Sequence, residues 1–187
     1  MAFISREKLE HMGFMNLGEN VLISDKASIY NFANISIGSN VRIDDFCVLS
    51  AGGGGIVIGN YVHIAVGSLL VGDGNITISD FGGLSSHVSI YSSSDDYSGL
   101  SLTNPTVPVE FKKIINKNVF LGKHVIIGSG SVVLPGVILG EGVAIGALSL
   151  VTKGCDAFGV YAGRPVRRIK GRSQKLLELE REFLNAK

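Results

Sequence analysis

A six-residue period between Ile115 and Val151 is the feature that most constrains the fold. Every sixth residue of this stretch is aliphatic: Ile115, Leu121, Ile127, Val133, Leu139, Ile145 and Val151. A second series, four residues later each time, is valine or serine: Val119, Val125, Ser131, Val137, Val143 and Ser149. Six is the period of neither a helix nor a simple strand, so one small unit must be stacked repeatedly. This pattern predicts a parallel β-helix, an all-β solenoid whose core is made by these series.

The same period extends through the N-terminal half with small slips. It runs through Ile23, Ile29 and Ile35, then Ile37, Ile43 and Leu49, then Ile58, Ile64 and Leu70, then Ile78, Leu84 and Ile90. The glycine run at 51–55 is followed by no GK[ST] signature, so it predicts a turn between coils and not a phosphate loop. We expect one domain over 1–187, with a helical segment at 1–14, the β-helix at 15–157 and a C-terminal tail and helix at 158–187.

Two short helices are expected at the ends of the chain. Residues 4–12 have Ser5 as a possible N-cap and apolar residues three apart, which favours a short amphipathic helix. The segment SQKLLELEREFLNAK has a broad apolar face with glutamates on the polar side. We expect this second helix to pack against the end of the solenoid as the cap that repeat proteins need.

Composition and charge limit the kinds of partner, the compartment and the metal binding that we expect. A formal net charge of +1 gives no reason to expect nucleic acid or an anionic membrane. The N-terminus is interrupted by charges and carries no continuous apolar segment, so neither a signal peptide nor a membrane span is expected and the chain is interpreted as cytoplasmic. Cys47 and Cys155 lack a metal-type spacing, and no metal is expected.

The segment VFLGKHVIIGSGSVVLPGVILGEGVAIGALSLVTKG resembles the hexapeptide repeat of the left-handed parallel β-helix acyltransferases. That family includes galactoside, serine and sugar acetyltransferases. The resemblance implies a left-handed β-helix, a homotrimer with active sites between subunits, and acetyl-coenzyme A or another acyl-coenzyme A as co-substrate. The repeat is scaffold, so the substrate must be argued from residues outside it.

The resemblance extends to a cofactor motif near the C-terminus. The segments GALSLVTKG (146–154) and YAGRPVRRIKG (161–171) resemble the family's closing motif, which binds coenzyme A. Backbone without bulky side chains would admit the pantetheine arm, and cations would hold the phosphates. The implied cofactor-binding residues are Ala144, Gly146, Lys153, Ala162, Gly163, Arg164 and Arg168. Arg164 departs from the asparagine common in the family and adds positive charge.

The repeat stops at 91–114, and this long polar segment predicts the acceptor loop. In sugar O-acetyltransferases of the family a segment like NVTIYTATHPLD carries a histidine base; here HVSIYSSSDDYS places Asp95 at that position. An ordinary aspartate is a poor base for an alcohol. An amine is already nucleophilic when neutral, so Asp95 favours N-acylation of an amino-deoxysugar, as in the family members that act on nucleotide-linked sugars. Predicted substrate contacts are Ser85, Ser86, Asp96, Glu110 and His124.

Three alternatives stay open at this point. His87 is the second candidate base, and its use would make the chain a sugar O-acetyltransferase. Loss of the usual histidine is also compatible with a non-catalytic trimeric scaffold. A carbonic anhydrase of this fold needs three histidines around zinc, and the scattered histidines do not match that pattern. His124 occupies the same offset as His87 and could complete a site across a subunit interface, whereas His63 and His11 are expected on ordinary surface.

Overall fold

The chain forms a parallel β-helix with a triangular cross-section, as the six-residue period predicts. The computed structural model describes residues 2–186. Three parallel sheets make three faces, and the chain visits them in turn. Hydrogen-bonded neighbours therefore lie 20 or 21 residues apart in the N-terminal coils and 18 apart in the coils after the long loop. We call the faces the first, second and third in the order in which the chain reaches them.

The strands are short, and most contain two or three residues. The first face contains β1 (Asn16–Leu17), β4 (Ile35–Ile37), β7 (Ile56–Ile58), β10 (Ile76–Ile78), β15 (Val119–Leu121) and β18 (Ile138–Leu139). The second contains β2 (Leu22–Ile23), β5 (Arg42–Ile43), β8 (His63–Ile64), β11 (Gly83–Leu84), β16 (Ile126–Ile127), β19 (Ala144–Ile145), β21 (Gly159–Gly163) and the antiparallel β22 (Val166–Gly171). The third contains β3 (Ser28–Tyr30), β6 (Val48–Ala51), β9 (Leu69–Gly72), β12 (Ser89–Tyr91), β17 (Val132–Val133) and β20 (Leu150–Val151).

The core is the two predicted series, stacked coil upon coil. Leu121, Ile127, Val133 and their successors are at most 3% exposed, and the valines and serines of the second series are equally buried. Ile115 is the exception, with 40% of its surface exposed. It belongs to the stem of the long loop, so the uninterrupted repeat begins at Val119 and not at Ile115.

The corners require conformations that most residues avoid. At the first corner, which joins the first face to the second, Asn20, Asn40, Tyr61, Phe81 and His124 have φ between 53° and 60°. The glycine run lies at the third corner, which joins the third face to the first. A Cβ on Gly54 would lie 2.4 Å from the backbone nitrogen of Asn75 in the next coil. The glycines are therefore needed for close approach of coils, as the absence of a phosphate-loop signature predicts.

The long loop leaves and re-enters the solenoid at the third corner. Two short antiparallel strands, β13 (Ser93–Ser94) and β14 (Ile115–Asn116), form its stem, and a single 3₁₀ turn covers Val109–Phe111. A second 3₁₀ turn, Phe32–Asn34, lies at the same corner near the start of the solenoid. Coil stacking continues across the insertion, because β10 pairs directly with β15.

Both predicted helices are present, but the second lies elsewhere than expected. Helix α1 (Arg6–His11) begins at the N-cap Ser5, whose side chain accepts from the Lys8 backbone at 3.4 Å, and Leu9 is buried. Helix α2 (Lys175–Asn185) does not cap the end of the solenoid. It packs along the first corner, where Phe183 contacts the stacked rings of Tyr61 and Phe81 edge-on. No helix within residues 2–186 has the length and apolar character needed to cross a membrane.

A polar cluster fixes α2 to this corner. Glu180 accepts from Lys123 and pairs with His124 Nε2 at 2.7 Å, and its side chain is only 8% exposed. The His124 ring stacks on Phe81 with the ring centroids 5.0 Å apart. Burial raises the pKa of Glu180, but the hydrogen bonds from Lys123 and His124 outweigh it and leave the pKa below its ordinary value.

Removing this carboxylate should destabilise the protein. We expect Glu180→Ala to lower the free energy of unfolding by about 1–2 kcal/mol, because it leaves two half-buried donors unpaired while solvent screens part of the loss. Urea denaturation measures the change. Glu178→Ala, on the exposed side of the same helix, is the matched control; equal losses in the two variants would show that the cluster does not hold α2.

The same cluster predicts a pH dependence. A carboxyl group whose pKa is lowered by folding stabilises the protein above its unfolded pKa, 4.5 for Glu180, and this stabilisation is lost as pH falls through the lowered folded pKa. The difference in unfolding free energy between wild type and Glu180→Ala should therefore shrink as pH falls below about 4. A difference that does not change down to pH 3 would contradict the assignment.

Candidate active site

A column of small residues follows the second corner, which joins the second face to the third. Strand register stacks the residues that follow Ile64, Leu84, Ile127, Ile145 and Tyr161 in successive coils. These residues form the small-residue column: Ala65, Ser85, Gly128, Gly146 and Ala162. No member extends beyond a methyl or a hydroxymethyl group, so the column leaves a groove along the solenoid.

Close approach of the coils explains the glycines in this column. A Cβ on Gly128 would lie 2.4 Å from the backbone nitrogen of Ala147, and one on Gly146 would lie 3.0 Å from the Ala162 Cβ. The buried Ser149 hydroxyl donates to the Gly146 carbonyl at 2.7 Å and accepts from the Gly163 backbone at 3.2 Å. These contacts fix the shape of the groove at the C-terminal end of the solenoid, which we call its upper end.

The predicted cofactor cations lie near this end of the solenoid, at two different corners. Arg164 is exposed, and its Nε donates to the Leu148 carbonyl at 2.7 Å, which joins the β21–β22 hairpin to the second corner. Arg168 is exposed on β22, opposite Tyr161. Lys153 follows β20 and is exposed at the third corner. Ala144 lies on the outer surface of the second face, beside the small-residue column.

Asp95 lies at the top of the loop stem, directly after β13 and half-buried. It lines two adjoining depressions, one with Asn104 and Lys112 and the other with Tyr97 and Leu134. Within residues 2–186 its carboxylate accepts one hydrogen bond, from the Asn104 backbone at 3.4 Å. The carboxylate is therefore held by its position on the stem and keeps acceptor capacity for a ligand.

Asp96 and Glu110, the predicted neighbours of Asp95, are placed differently. Asp96 accepts from the backbone and hydroxyl of Ser98, both at 2.9 Å, and from Ser101 at 3.1 Å. The hydrogen bonds from Ser98 lower the pKa of Asp96. Asp96 thus stabilises a turn inside the loop. Glu110 is exposed on the 3₁₀ turn and lines a separate depression with Leu100 and Ser101.

The remaining predicted residues lie at the other two corners. Ser85, Ser86 and His87 lie together at the second corner, where His87 has a φ of 59°. The His87 ring covers Gly67 of the preceding coil, so that a Cβ on Gly67 would lie 2.5 Å from His87 Nδ1. His124 lies at the first corner, where its ring stacks on Phe81 and pairs with Glu180 of α2. Its predicted part in substrate binding stays a prediction, and this packing supplies a structural role.

One chain does not bring Asp95 together with Ser85 or His87. The strand Ser89–Tyr91 and its flanking residues separate the second corner from the third, which at about 3.3 Å per residue is roughly 15 Å. The small-residue column also lies on the opposite corner from Lys153. Each of the two predicted sites is therefore divided between two corners of the chain.

A third polar group, which the sequence does not predict, lies on the second face. Asp44 is 6% exposed and accepts from Arg42 Nε at 2.7 Å, while His63 Nε2 lies 2.9 Å from its other oxygen. Burial raises the pKa of Asp44, but the hydrogen bonds from Arg42 and His63 outweigh it and lower the pKa. The sequence feature that could have revealed this group is the separation of Asp44 from His63, which is nearly one coil length. His63 is exposed, as the sequence predicts, but its pairing with Asp44 means that it is not isolated.

Within the described part of the chain, no group of three or more His, Cys, Asp and Glu side chains is placed to hold a metal ion. Residues 118–153 match the family model described as bacterial transferase hexapeptide (six repeats). The chain is 60% identical over 183 residues to dTDP-4-amino-4,6-dideoxy-D-glucose acyltransferase from Escherichia coli, covering 98% of this chain and 95% of that protein.

Solved structures of AntD, an N-acyltransferase from Bacillus cereus, have the same fold. A serine variant bound to dTDP-4-amino-4,6-dideoxyglucose and coenzyme A is 49% identical, covers 99% of this chain and 98% of that one, and has a TM-score of 0.95. An aspartate variant bound to dTDP and coenzyme A is 48% identical with the same coverage and a TM-score of 0.94. A complex with dTDP and 3-hydroxybutyryl-CoA is 49% identical, covers 98% and 97%, and also has a TM-score of 0.94.

Proposed function

Because the chain belongs to the hexapeptide-repeat acyltransferase family, we propose that it transfers an acyl group from acyl-coenzyme A to the amino group of a dTDP-linked 4-amino-4,6-dideoxyglucose. Identity of 60% to an acyltransferase for this sugar, over nearly the whole of both chains, is the observation that carries the proposal. The AntD complexes support the same donor and acceptor classes. Neither relative supports the hydroxyl-acceptor or the non-catalytic alternative.

Asp95 is the residue that orients the amine. Its carboxylate is presented by the stem with free acceptor capacity, whereas Asp96 is engaged in a turn. The AntD variants are at a serine and at an aspartate ten residues further along the chain, and Ser85 and Asp95 have the same spacing here. This match supports a common site that uses both residues. His87 has no such support as the base.

The reaction proceeds by direct attack. The amine nitrogen, held by Asp95, forms a bond to the thioester carbonyl carbon, and the carbonyl oxygen becomes an oxyanion that the Ser85 hydroxyl stabilises. The nitrogen then loses a proton to the Asp95 carboxylate. The oxyanion re-forms the carbonyl as the carbon–sulfur bond breaks, and the leaving coenzyme A thiolate takes up the proton that Asp95 received. Cys47 and Cys155 are buried, and burial raises the pKa of both thiols, so neither is suited to form an acyl-enzyme.

The division of the sites between corners supports a trimer. If the third face of each subunit turns toward a three-fold axis, the second corner of one subunit meets the third corner of the next. This arrangement unites Ser85 and Gly146 of one subunit with Asp95 and Lys153 of its neighbour. The outward side chains of the third face are suited to burial there, since they include Leu69, Val71, Val132, Leu134 and Leu150.

The same groove accommodates coenzyme A. The small-residue column, with Ala144 and Gly163, admits the pantetheine arm, and Arg164 and Arg168 lie at its upper end to hold the phosphates. Lys153 joins them from the neighbouring subunit. The thioester then reaches Ser85 at the level of the acceptor loop. We propose the cytoplasm as its compartment.

Replacing Asp95 should abolish most of the activity. We expect Asp95→Asn to lower turnover roughly 10²-fold or more, because the amide cannot accept the proton that the tetrahedral intermediate releases. A thiol-release assay with acyl-coenzyme A and the dTDP-linked amino sugar measures the rate. Asp25→Asn, at an exposed aspartate far from the loop, is the control; a wild-type rate in Asp95→Asn would exclude Asp95 as the base.

A mixed-subunit experiment tests the shared site. Asp95→Asn damages the third corner and Ser85→Phe obstructs the second, so each variant alone should be inactive. Co-expressed trimers should recover about one quarter of wild-type activity, because random assembly unites two intact corners at about one interface in four. Absence of any recovery, with both variants present in one trimer, would show that the site lies within a single subunit.

A further inference from the structure

The outer surface of the second face has a gap at Gly83. Strand register places Gly83 between His63 of the preceding coil and Ile126 of the next, and all three positions point outward. Because Gly83 has no side chain, a depression of about 300 Å³ opens there. Ser85 and Ala65 of the small-residue column form one wall, and His63 and Ile126 lie at its two ends.

This depression starts beside Ser85, the residue at which we place the proposed reaction. With the pantetheine arm descending the groove from Arg164, the thioester carbonyl lies at Ser85, and the acyl chain continues in the same direction. Below Ser85 the next member of the column is Ala65, and beside it is the gap over Gly83. Coils are stacked about 4.8 Å apart, so a chain of about four carbons reaches from the level of Ser85 to the level of His63.

His63 is held in a defined orientation at the far end. Its Nε2 lies 2.9 Å from Oδ2 of Asp44, whose other oxygen accepts from Arg42. Because a carboxylate only accepts, the Asp44 contact favours the tautomer that carries its proton on Nε2, and in that tautomer Nδ1 has a lone pair. Nδ1 has no hydrogen-bond partner among residues 2–186. An acyl group that carries a hydroxyl would therefore find an acceptor at this end.

We propose that the depression over Gly83 is the acyl-chain pocket of the donor site, and that it takes a four-carbon acyl group whose C3 hydroxyl donates to His63. Gly83 sets the size of the pocket and His63 selects the hydroxyl. This inference rests on the proposed function, which places the thioester at Ser85. It adds two specificity-determining residues and the chemical class of the acyl group.

Substitutions at Gly83 test directly whether the depression holds the acyl chain. A Cβ added there would meet only Ile126 Cγ1, at 3.9 Å, and the backbone is not left-handed, so Gly83→Ala and Gly83→Val should fold. The control Gly171→Ala also adds a methyl group to a glycine with nothing within 4 Å of its Cβ, but far from the depression. His63→Phe keeps a flat ring and removes the acceptor.

The experiment measures kcat/KM of the full chain for acetyl-, butyryl- and 3-hydroxybutyryl-coenzyme A with the dTDP-linked amino sugar. Wild type should use 3-hydroxybutyryl-coenzyme A best. Gly83→Val should lower the ratio of butyryl to acetyl efficiency tenfold or more, with Gly83→Ala intermediate, since filling a pocket discriminates by chain length. His63→Phe should remove the preference for 3-hydroxybutyryl over butyryl. Gly171→Ala should leave all ratios unchanged.

The outcomes separate the two proposals. No turnover by wild type with any donor would overturn the proposed function. Turnover with chain-length ratios that neither Gly83 variant changes, in folded trimers, would overturn the acyl pocket and leave the proposed function intact. A pocket that responds to Gly83 but not to His63→Phe would overturn the hydroxyl contact.

Discussion

Stacking of aliphatic side chains inside a narrow triangular coil is the interaction on which the whole molecule depends. Each coil contributes inward residues that are covered only by the coils above and below it, so no single coil can bury its core alone. The three sheets follow from this stacking, since hydrogen bonds between coils form wherever the inward residues remain in register. The corners follow as well, because a turn after so few residues needs left-handed conformations or glycine.

Side chains at the corners and on the outer faces do not contribute to this core, and the candidate site residues are among them. The second corner uses small residues to open a groove, and the third corner carries a loop that presents Asp95. The first corner instead carries stacked rings and the cluster of Lys123, His124 and Glu180 that binds α2. One scaffold thus provides the proposed donor groove, the proposed acceptor loop and a docking site for a helix at three separate edges.

The sequence predicts most of the fold, because a period of six residues specifies both the strand direction and the inward positions. It also locates the loop and both helices. The position of α2 could not be predicted, since its apolar face fits a corner of rings as well as the end of a coil. The loop stem has the six-residue spacing at Ile115 by coincidence, and only the antiparallel pairing to β13 reveals it. The grouping of Arg42, Asp44 and His63 depends on coil length, which varies from 18 residues between Ile126 and Ala144 to 21 between Arg42 and His63.

The sequence predicts the identity of the site residues better than their arrangement. Asp95 was found by its position in a motif and Gly146 by its place in the repeat, yet nothing in the sequence shows that they occupy different edges of the triangle. That separation arises from the three faces of the coil, and it is the reason that we propose an active site shared with a neighbouring subunit.

The manner in which the loop joins the solenoid has an evolutionary consequence. The chain departs from and returns to one corner through a short stem, and the strands on either side, β10 and β15, pair as if nothing lay between them. Insertions or exchanges within the loop therefore do not alter the packing of the core. The proposed acceptor loop can therefore diversify without changes to the scaffold, whereas the proposed donor groove is constrained by the periodicity of the coils.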